Sequence, residues 1–219
     1  MSQESFLVKL NIGCGPQYKE GWINVDRELP CDVRTNLLQG LPFKDSCCDT
    51  TFLSHLLEHF SYQDARDFLV ECNRISKIDA LIRIIVPDLE IFARKYVEKD
   101  KAFYNQPGPH NGFRFKGDTL GDKFMYVAIS GGHKYFYDFD SLRNLLLTCG
   151  FGNVVKSGFG NSKIEDISLL DNRPELSLFI EAQKVKEVKT FKTLQNLPHY
   201  RKPLWKRGIK KFLRLMAIR

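Results

Sequence analysis

Phe6-Leu7-Val8-Lys9-Leu10-Asn11-Ile12-Gly13-Cys14-Gly15-Pro16, followed closely by Trp22-Ile23-Asn24-Val25-Asp26, is the stretch that decides how this chain folds. The first run is apolar and enters a glycine turn; the second ends in a lone carboxylate. Gly13 and Gly15 permit backbone conformations and a close ligand approach that a Cβ would block. A turn at the carboxyl end of a strand is also where open parallel sheets bind ligands. On the next strand, Asp26 can accept hydrogen bonds from two ribose hydroxyls. A dinucleotide fingerprint needs G-x-G-x-x-G opening a helix and an acid about 20 residues further on. Here no glycine follows Gly15 until Gly21, Pro16 interrupts the turn and Asp26 comes too soon. A P-loop fits less well still, because neither Gly-Lys-Ser nor Gly-Lys-Thr occurs.

Working outward, apolar runs and turn residues predict strands at Phe6 to Ile12, Trp22 to Val25, Asp32 to Arg34, Thr50 to Ser54, Ala80 to Val86, Asn153 to Lys156 and Leu176 to Ala182. Helical patterns lie between them. Ser61 with Asp64 reads as a capping box, followed by Ala65, Phe68, Leu69, Cys72 and Ile75 at helical spacing. Asp88 to Lys99 and Asp140 to Cys149 are further helices, the last stopped by Gly150. Such alternation predicts an α/β fold: a mostly parallel, Rossmann-like sheet of about seven strands with helices on both faces. Only about ten residues separate the first two strands, whereas a parallel crossover takes a dozen or more. The first crossover helix should therefore be vestigial.

Composition narrows the function. The 219 residues fit one α/β domain with extensions, divided here as residues 1–184 and a tail, 185–219. No run reaches the roughly 18 consecutive apolar residues of a membrane span. Met1 to Ser5 are polar, so no secretory signal is read there. The cysteines at 14, 31, 47, 48, 72 and 149 lack C-x-x-C spacing, which favours reduced thiols and a cytoplasmic location. From Lys184 onward there are twelve Lys or Arg and one acid, leaving 21 basic and 25 acidic residues before it. The body is mildly acidic and the tail strongly basic, so net charge does not imply nucleic acid at the body.

Five segments in order resemble a known family: Leu10 to Pro16, Asn24-Val25-Asp26, Leu41-Pro42-Phe43, Ser54-His55-Leu56-Leu57-Glu58-His59 and Val86-Pro87-Asp88. They are similar to the class I S-adenosylmethionine-dependent methyltransferases, most closely the small subgroup often encoded among polysaccharide and lipopolysaccharide biosynthesis genes. His133 to Asp138 and Cys149-Gly150-Phe151 resemble that subgroup's later pattern. The resemblance spans residues 6 to 184 and implies S-adenosylmethionine as cofactor. It places Asn11, Ile12, Gly13, Cys14 and Gly15 against the methionine part, Asp26 on the ribose, Asn36 and Leu37 beside the adenine, and Ser54 and His55 at the end of the fourth strand. Asn36 stands where the family commonly has an acid, Asn11 where the wider superfamily has one, Gln17 where it has a third glycine, and Ile78-Asp79 replaces a Pro-Gly-Gly turn.

Methyl transfer is an in-line displacement, so most of the catalytic work is alignment. A sugar hydroxyl also calls for a general base. His55, His133 and Asp88 are the candidates, and spacing does not choose among them; Asp88 also reads as a helix cap. Glu58-His59 reads as packing or capping at a helix start, and no metal is expected. Among Tyr135, Phe136 and Tyr137 at least one core residue is expected. Residues 100–132 form an insertion expected to act as lid and acceptor region, with Arg114 and Lys116 suited to an acceptor bearing phosphate or uronic acid. In the tail, Pro203 starts a pattern with Trp205, Ile209, Phe212, Leu213 and Met216 on one face and five basic residues elsewhere. Residues 203–219 thus fit an anionic membrane surface, here the inner membrane face. The expected function is methylation of a hydroxyl on a glycan or lipid-linked sugar precursor. Two alternatives stand beside it, an RNA or protein methyltransferase and a non-catalytic cofactor-binding partner subunit.

Overall fold

The structure, a computed structural model, describes residues 7–107 and 114–188. Its strands are β1 (Lys9–Ile12), β2 (Ile23–Asp26), β3 (Val33–Arg34), β4 (Cys48–Ser54), β5 (Ser76–Pro87), β6 (Phe151–Ser157) and β7 (Ser177–Lys184). The helices are α1 (Tyr62–Ile75), α2 (Leu89–Val97), α3 (Lys101–Tyr104), α4 (Leu120–Ile129) and α5 (Phe139–Thr148). All seven strands join one sheet in the order β3-β2-β1-β4-β5-β7-β6. Pairing is parallel from β3 through β5, while β7 runs antiparallel to both β5 and β6. Each predicted strand is present; β5 begins earlier than Ala80, at Ser76, directly after α1. Asp79 within it takes a left-handed backbone (φ 64°), a conformation Asp tolerates through its short polar side chain.

The strand alternation separates two faces. Leu10, Ile12, Val25, Leu53, Ile82, Ile84, Leu178 and Ile180 share one core with α1 and α5, through Phe68, Leu69, Leu142 and Leu145. Trp22, Phe52, Ile85 and Phe179 point the other way and are covered by Ile164, Ile167 and Leu170. Right-handed crossovers on either side of the β1/β4 boundary lie on opposite faces, so the second face is where a β1–β2 helix would lie. The residues between these strands form turns and no helix, and the connection between β6 and β7 fills the space.

Arg83 holds that connection down. Fully buried in β5, it donates from Nε to Asp171 Oδ1 (2.8 Å), from Nη2 to Asp171 Oδ2 (2.5 Å) and from Nη1 to Glu181 Oε1 (2.9 Å). The guanidinium also bonds Ser157 Oγ and the carbonyls of Gly158 and Asn161. Two carboxylates against one buried guanidinium, with its other N–H groups satisfied, meet the condition under which buried ions are tolerated.

The insertion has a core of its own. Phe92 of α2, Phe103 and Tyr104 of α3, Phe115, and Val127 of α4 pack with Leu176, and Tyr104 Oη donates to the Phe92 carbonyl at 2.6 Å. The aromatic rings meet mostly edge to face, the favoured geometry for their quadrupoles. Among the described residues no helix is long and apolar enough to cross a membrane.

Candidate functional site

The strand order reverses between β1 and β4, and the site forms at their carboxyl ends, where neighbouring connections diverge to opposite faces and leave a crevice. The Gly13 N–H donates to Val25 O at 2.8 Å, which folds the turn onto the end of β2. Gly13 has φ 72°, and a Cβ there would come within 2.8 Å of the Leu56 side chain. Gly15 has φ 50°, and among the described residues nothing lies within 4 Å of the place a Cβ would take. One glycine is thus required by packing, and the other borders free volume. Asp26 lies at the junction: its Oδ2 accepts from Gly15 N at 2.8 Å and its Oδ1 from Glu28 N at 3.0 Å. A carboxylate offers about four lone-pair sites, so each oxygen keeps room for a further donor.

Other sequence-predicted residues are engaged differently. Asn11 is buried and its Nδ2 donates to Gln17 O (3.0 Å) and Asn24 Oδ1 (2.9 Å), so it braces the connection that replaces a helix. Ile12 is buried in the main core. Burial and the nearby Asp26 push the Cys14 thiol up to about 12, which keeps it protonated. Asn36 caps a short 3-10 turn (Leu37–Gln39) by accepting from Leu38 N, and Leu37 is buried beneath it. Ser54 Oγ accepts from Asn172 Nδ2 at 2.9 Å.

Three imidazoles gather beyond β4. His55 takes a left-handed backbone (φ 49°); its Nδ1 lies 3.2 Å from Glu58 Oε1 and its Nε2 3.4 Å from Ser177 Oγ. His133 is brought in from the end of the insertion. Lys134 N and Tyr135 N both donate to the Glu58 carbonyl (2.7 and 3.2 Å), and the rings of His59 and His133 meet edge to face at 4.9 Å. His133 Nδ1 lies 2.9 Å from Val127 O. A carbonyl only accepts, so that bond puts the proton on Nδ1 and leaves Nε2 with a lone pair. Burial lowers the His133 pKa below its ordinary 6.5, against an opposing pull from Glu58. Glu58 is buried, and its Oε2 has no hydrogen-bond partner among the described residues.

A cavity of about 300 Å³ opens beside these groups. His55, His133, Arg114, Arg173 and Ser130 supply its polar lining, and Phe92, Phe115, Tyr126, Val127, Pro87 and Leu176 its walls. Arg114 is held by Glu175 Oε1 (2.7 Å). Lys116 is exposed and is not among the lining residues. Asp88 is not either: its Oδ1 caps α2 through Glu90 N at 3.0 Å and its Oδ2 lies 3.5 Å from Lys156 Nζ. Tyr137 is a core residue, fully buried, while Tyr135 and Phe136 are partly so. Arg173 and the grouping of Glu58 and His59 with His133 escape a reading of the sequence. The only local sign of the grouping is the run from His55 to His59, and its remaining member lies beyond the insertion.

The open space at Gly15 and the strand-end carboxylate of Asp26 fit an adenosyl cofactor. Residues 14–84 match the model of a methyltransferase domain family. Among solved structures, a S-adenosylmethionine-dependent methyltransferase from Archaeoglobus fulgidus is 18% identical over 83% of this chain and 87% of its own, with a TM-score of 0.48. One from Thermotoga maritima is also 18% identical, over 81% and 82%, with a TM-score of 0.48. A chain from the Haloferax volcanii complex of the Trm112 methyltransferase activator is 12% identical over 83% and 84%, with a TM-score of 0.50, a likeness of fold. No curated protein matches the chain. With the family match lying over the glycine turn, Asp26 and β4, the chain is a methyltransferase whose cofactor is S-adenosylmethionine.

Proposed function

We propose that this enzyme methylates a hydroxyl of an anionic sugar, carried on a glycan or lipid-linked precursor. The observation behind this reading is the cavity itself, in which two imidazoles and two guanidinium groups face aromatic walls. Its volume, about 300 Å³, is at the small end of ligand pockets and suits one sugar unit. Arg114 and Arg173 offer planar donor forks suited to phosphate or uronate, and the aromatic rings offer flat apolar surface to a sugar face.

When bound, S-adenosylmethionine supplies a methyl group on a positively charged sulfur, whose C–S electron pair leaves with the sulfur as the new O–CH₃ bond forms. The chain's own part is to hold, align and deprotonate. Asp26 and the Gly13–Gly15 turn hold the nucleoside and methionine ends, with Asn36, Leu37 and Ser54 at the rim. His55 takes the hydroxyl proton on Nε2. Glu58 at its Nδ1 fixes the ring and stabilises the imidazolium that results, as the buried acid does in a nucleophile–histidine–acid triad. His133, backed by a neutral carbonyl, lacks that support. Of the tail, residues 185–219, the part from 189 onward lies outside the described residues; the sequence pattern of 203–219 supports a hold on anionic lipid, where lipid-linked acceptors reside.

The test is incubation of purified full-length protein with radiolabelled methyl donor and separate glycan, lipid, RNA and protein fractions of a lysate. Label is expected in the glycan or lipid fraction and is lost in His55→Ala. Label confined to RNA or protein would overturn the sugar assignment.

A further inference from the structure

Glu58 has no role in methyl transfer that accounts for its second oxygen. It sits in a short 3-10 turn, Leu57–His59, almost completely buried. Oε1 faces His55 Nδ1, while Oε2 meets no donor among the described residues. A buried carboxylate oxygen without a partner is costly, and native folds rarely leave one, an ion being among the groups that satisfy it. A carboxylate oxygen of Glu58 and one ring nitrogen each of His59 and His133 lie within 4.8 Å of one another. We propose that Glu58, His59 and His133 form a binding site for one divalent first-row transition-metal ion, with Zn²⁺ as its representative.

The surroundings are those of a metal site as well as of a cluster. Ligating histidines characteristically donate the other ring N–H to a carbonyl or carboxylate, which fixes the tautomer. His133 does so from Nδ1 to Val127 O, and its Nε2 lone pair remains for an ion. The Glu58 backbone carbonyl accepts from Lys134 and Tyr135, which fastens the residues after His133 to the turn that carries the other two donors. Two imidazoles and a carboxylate suit Zn²⁺, Mn²⁺, Fe²⁺ or Co²⁺, whereas Mg²⁺ and Ca²⁺ prefer an all-oxygen shell. Donors about 2.0–2.1 Å from a shared ion sit roughly 3.4 Å apart in a tetrahedron, so binding draws these three together. Gly131 and Gly132, at φ 65° and 80° just before His133, give its segment room to adjust. With three protein ligands the ion keeps an open position, and His133 lines the acceptor cavity. Metal binding does not rest on the sugar assignment and is measured without an acceptor.

Full-length protein stripped with a chelator is titrated with Zn²⁺ alone by calorimetry, and with Mg²⁺ alone in parallel. One Zn²⁺ per chain is expected, with no saturable Mg²⁺ binding, and Glu58→Gln or His59→Ala should weaken Zn²⁺ by ~10-fold or more. Because those variants bear on a buried turn, wild-type protein carrying ¹⁵N-histidine provides the second reading. Zn²⁺ should shift the ring nitrogens of His59 and His133 while the remaining three of the five histidines move little. Absence of saturable Zn²⁺ binding, or binding that leaves both rings unmoved, as cysteine ligation would, overturns the proposal.

Discussion

Single side chains carry the chemistry in this protein because their neighbours leave them little freedom. His55 is pinned between Glu58 Oε1 and Ser177 Oγ, at 3.2 and 3.4 Å, on a left-handed backbone at the end of a central strand. General-base assistance is worth about 10²–10⁴-fold, so His55→Ala should lower turnover by about that factor while the protein stays folded. Label incorporation at saturating donor checks this, and a loss under about tenfold would move the base elsewhere. The sequence offered His55, His133 and Asp88 as equal types at loop positions. Only three-dimensional placement separates them, since Asp88 is occupied by Glu90 N and Lys156.

Among the elements, those fixed by local rules are the ones legible in the sequence. The capping residue Ser61 and the apolar spacing to Ile75 gave α1, and alternating or continuous apolar runs gave every strand of the sheet. The early start of β5 was hidden because the Ile78-Asp79 pair carries no strand signal; sheet pairing of Ser76 with Cys48 decides it. Helix α5 begins in a capping box in which Asp138 accepts from Ser141 N at 2.8 Å. Those bonds from Ser141 hold the Asp138 carboxyl below its ordinary 3.8, against the opposing effect of burial. A lowered folded-state pKa means stability present above the ordinary value and lost as pH falls through the folded one. Asp138→Ala should therefore cost about 0.5–2 kcal/mol at neutral pH, and the gap from wild type should close as pH drops from about 4 downward. Denaturant unfolding of both proteins across that range measures it.

At the scale of the whole molecule, a short first connection leaves one sheet face without a helix, and the buried Arg83 cluster ties the β6–β7 segment across it. Asp171→Ala removes the bidentate one of the two carboxylates and leaves the Nε and one Nη2 donor of Arg83 unpaired in the interior, which should cost about 3–5 kcal/mol, seen in chemical unfolding; a loss below about 1 kcal/mol would mean the segment is held by its apolar contacts alone. This contact was illegible because Arg83 and Asp171 are far apart in sequence and each looks like a surface charge. The tail forms the other large-scale feature. Liposomes rich in anionic lipid should float full-length protein and leave behind a form lacking residues 185–219, with recovery falling as salt rises; equal flotation of both would remove the membrane reading. The switch point between β1 and β4 remains the centre of the account, since everything proposed for the acceptor depends on a donor held there. Calorimetric titration of S-adenosylmethionine into the full-length protein tests it most directly. Each hydrogen bond to a charged group contributes about 1.5–3 kcal/mol, so wild type should bind one donor per chain and Asp26→Ala should bind at least about tenfold more weakly. Undiminished affinity in Asp26→Ala, or no binding by the wild type, would contradict it.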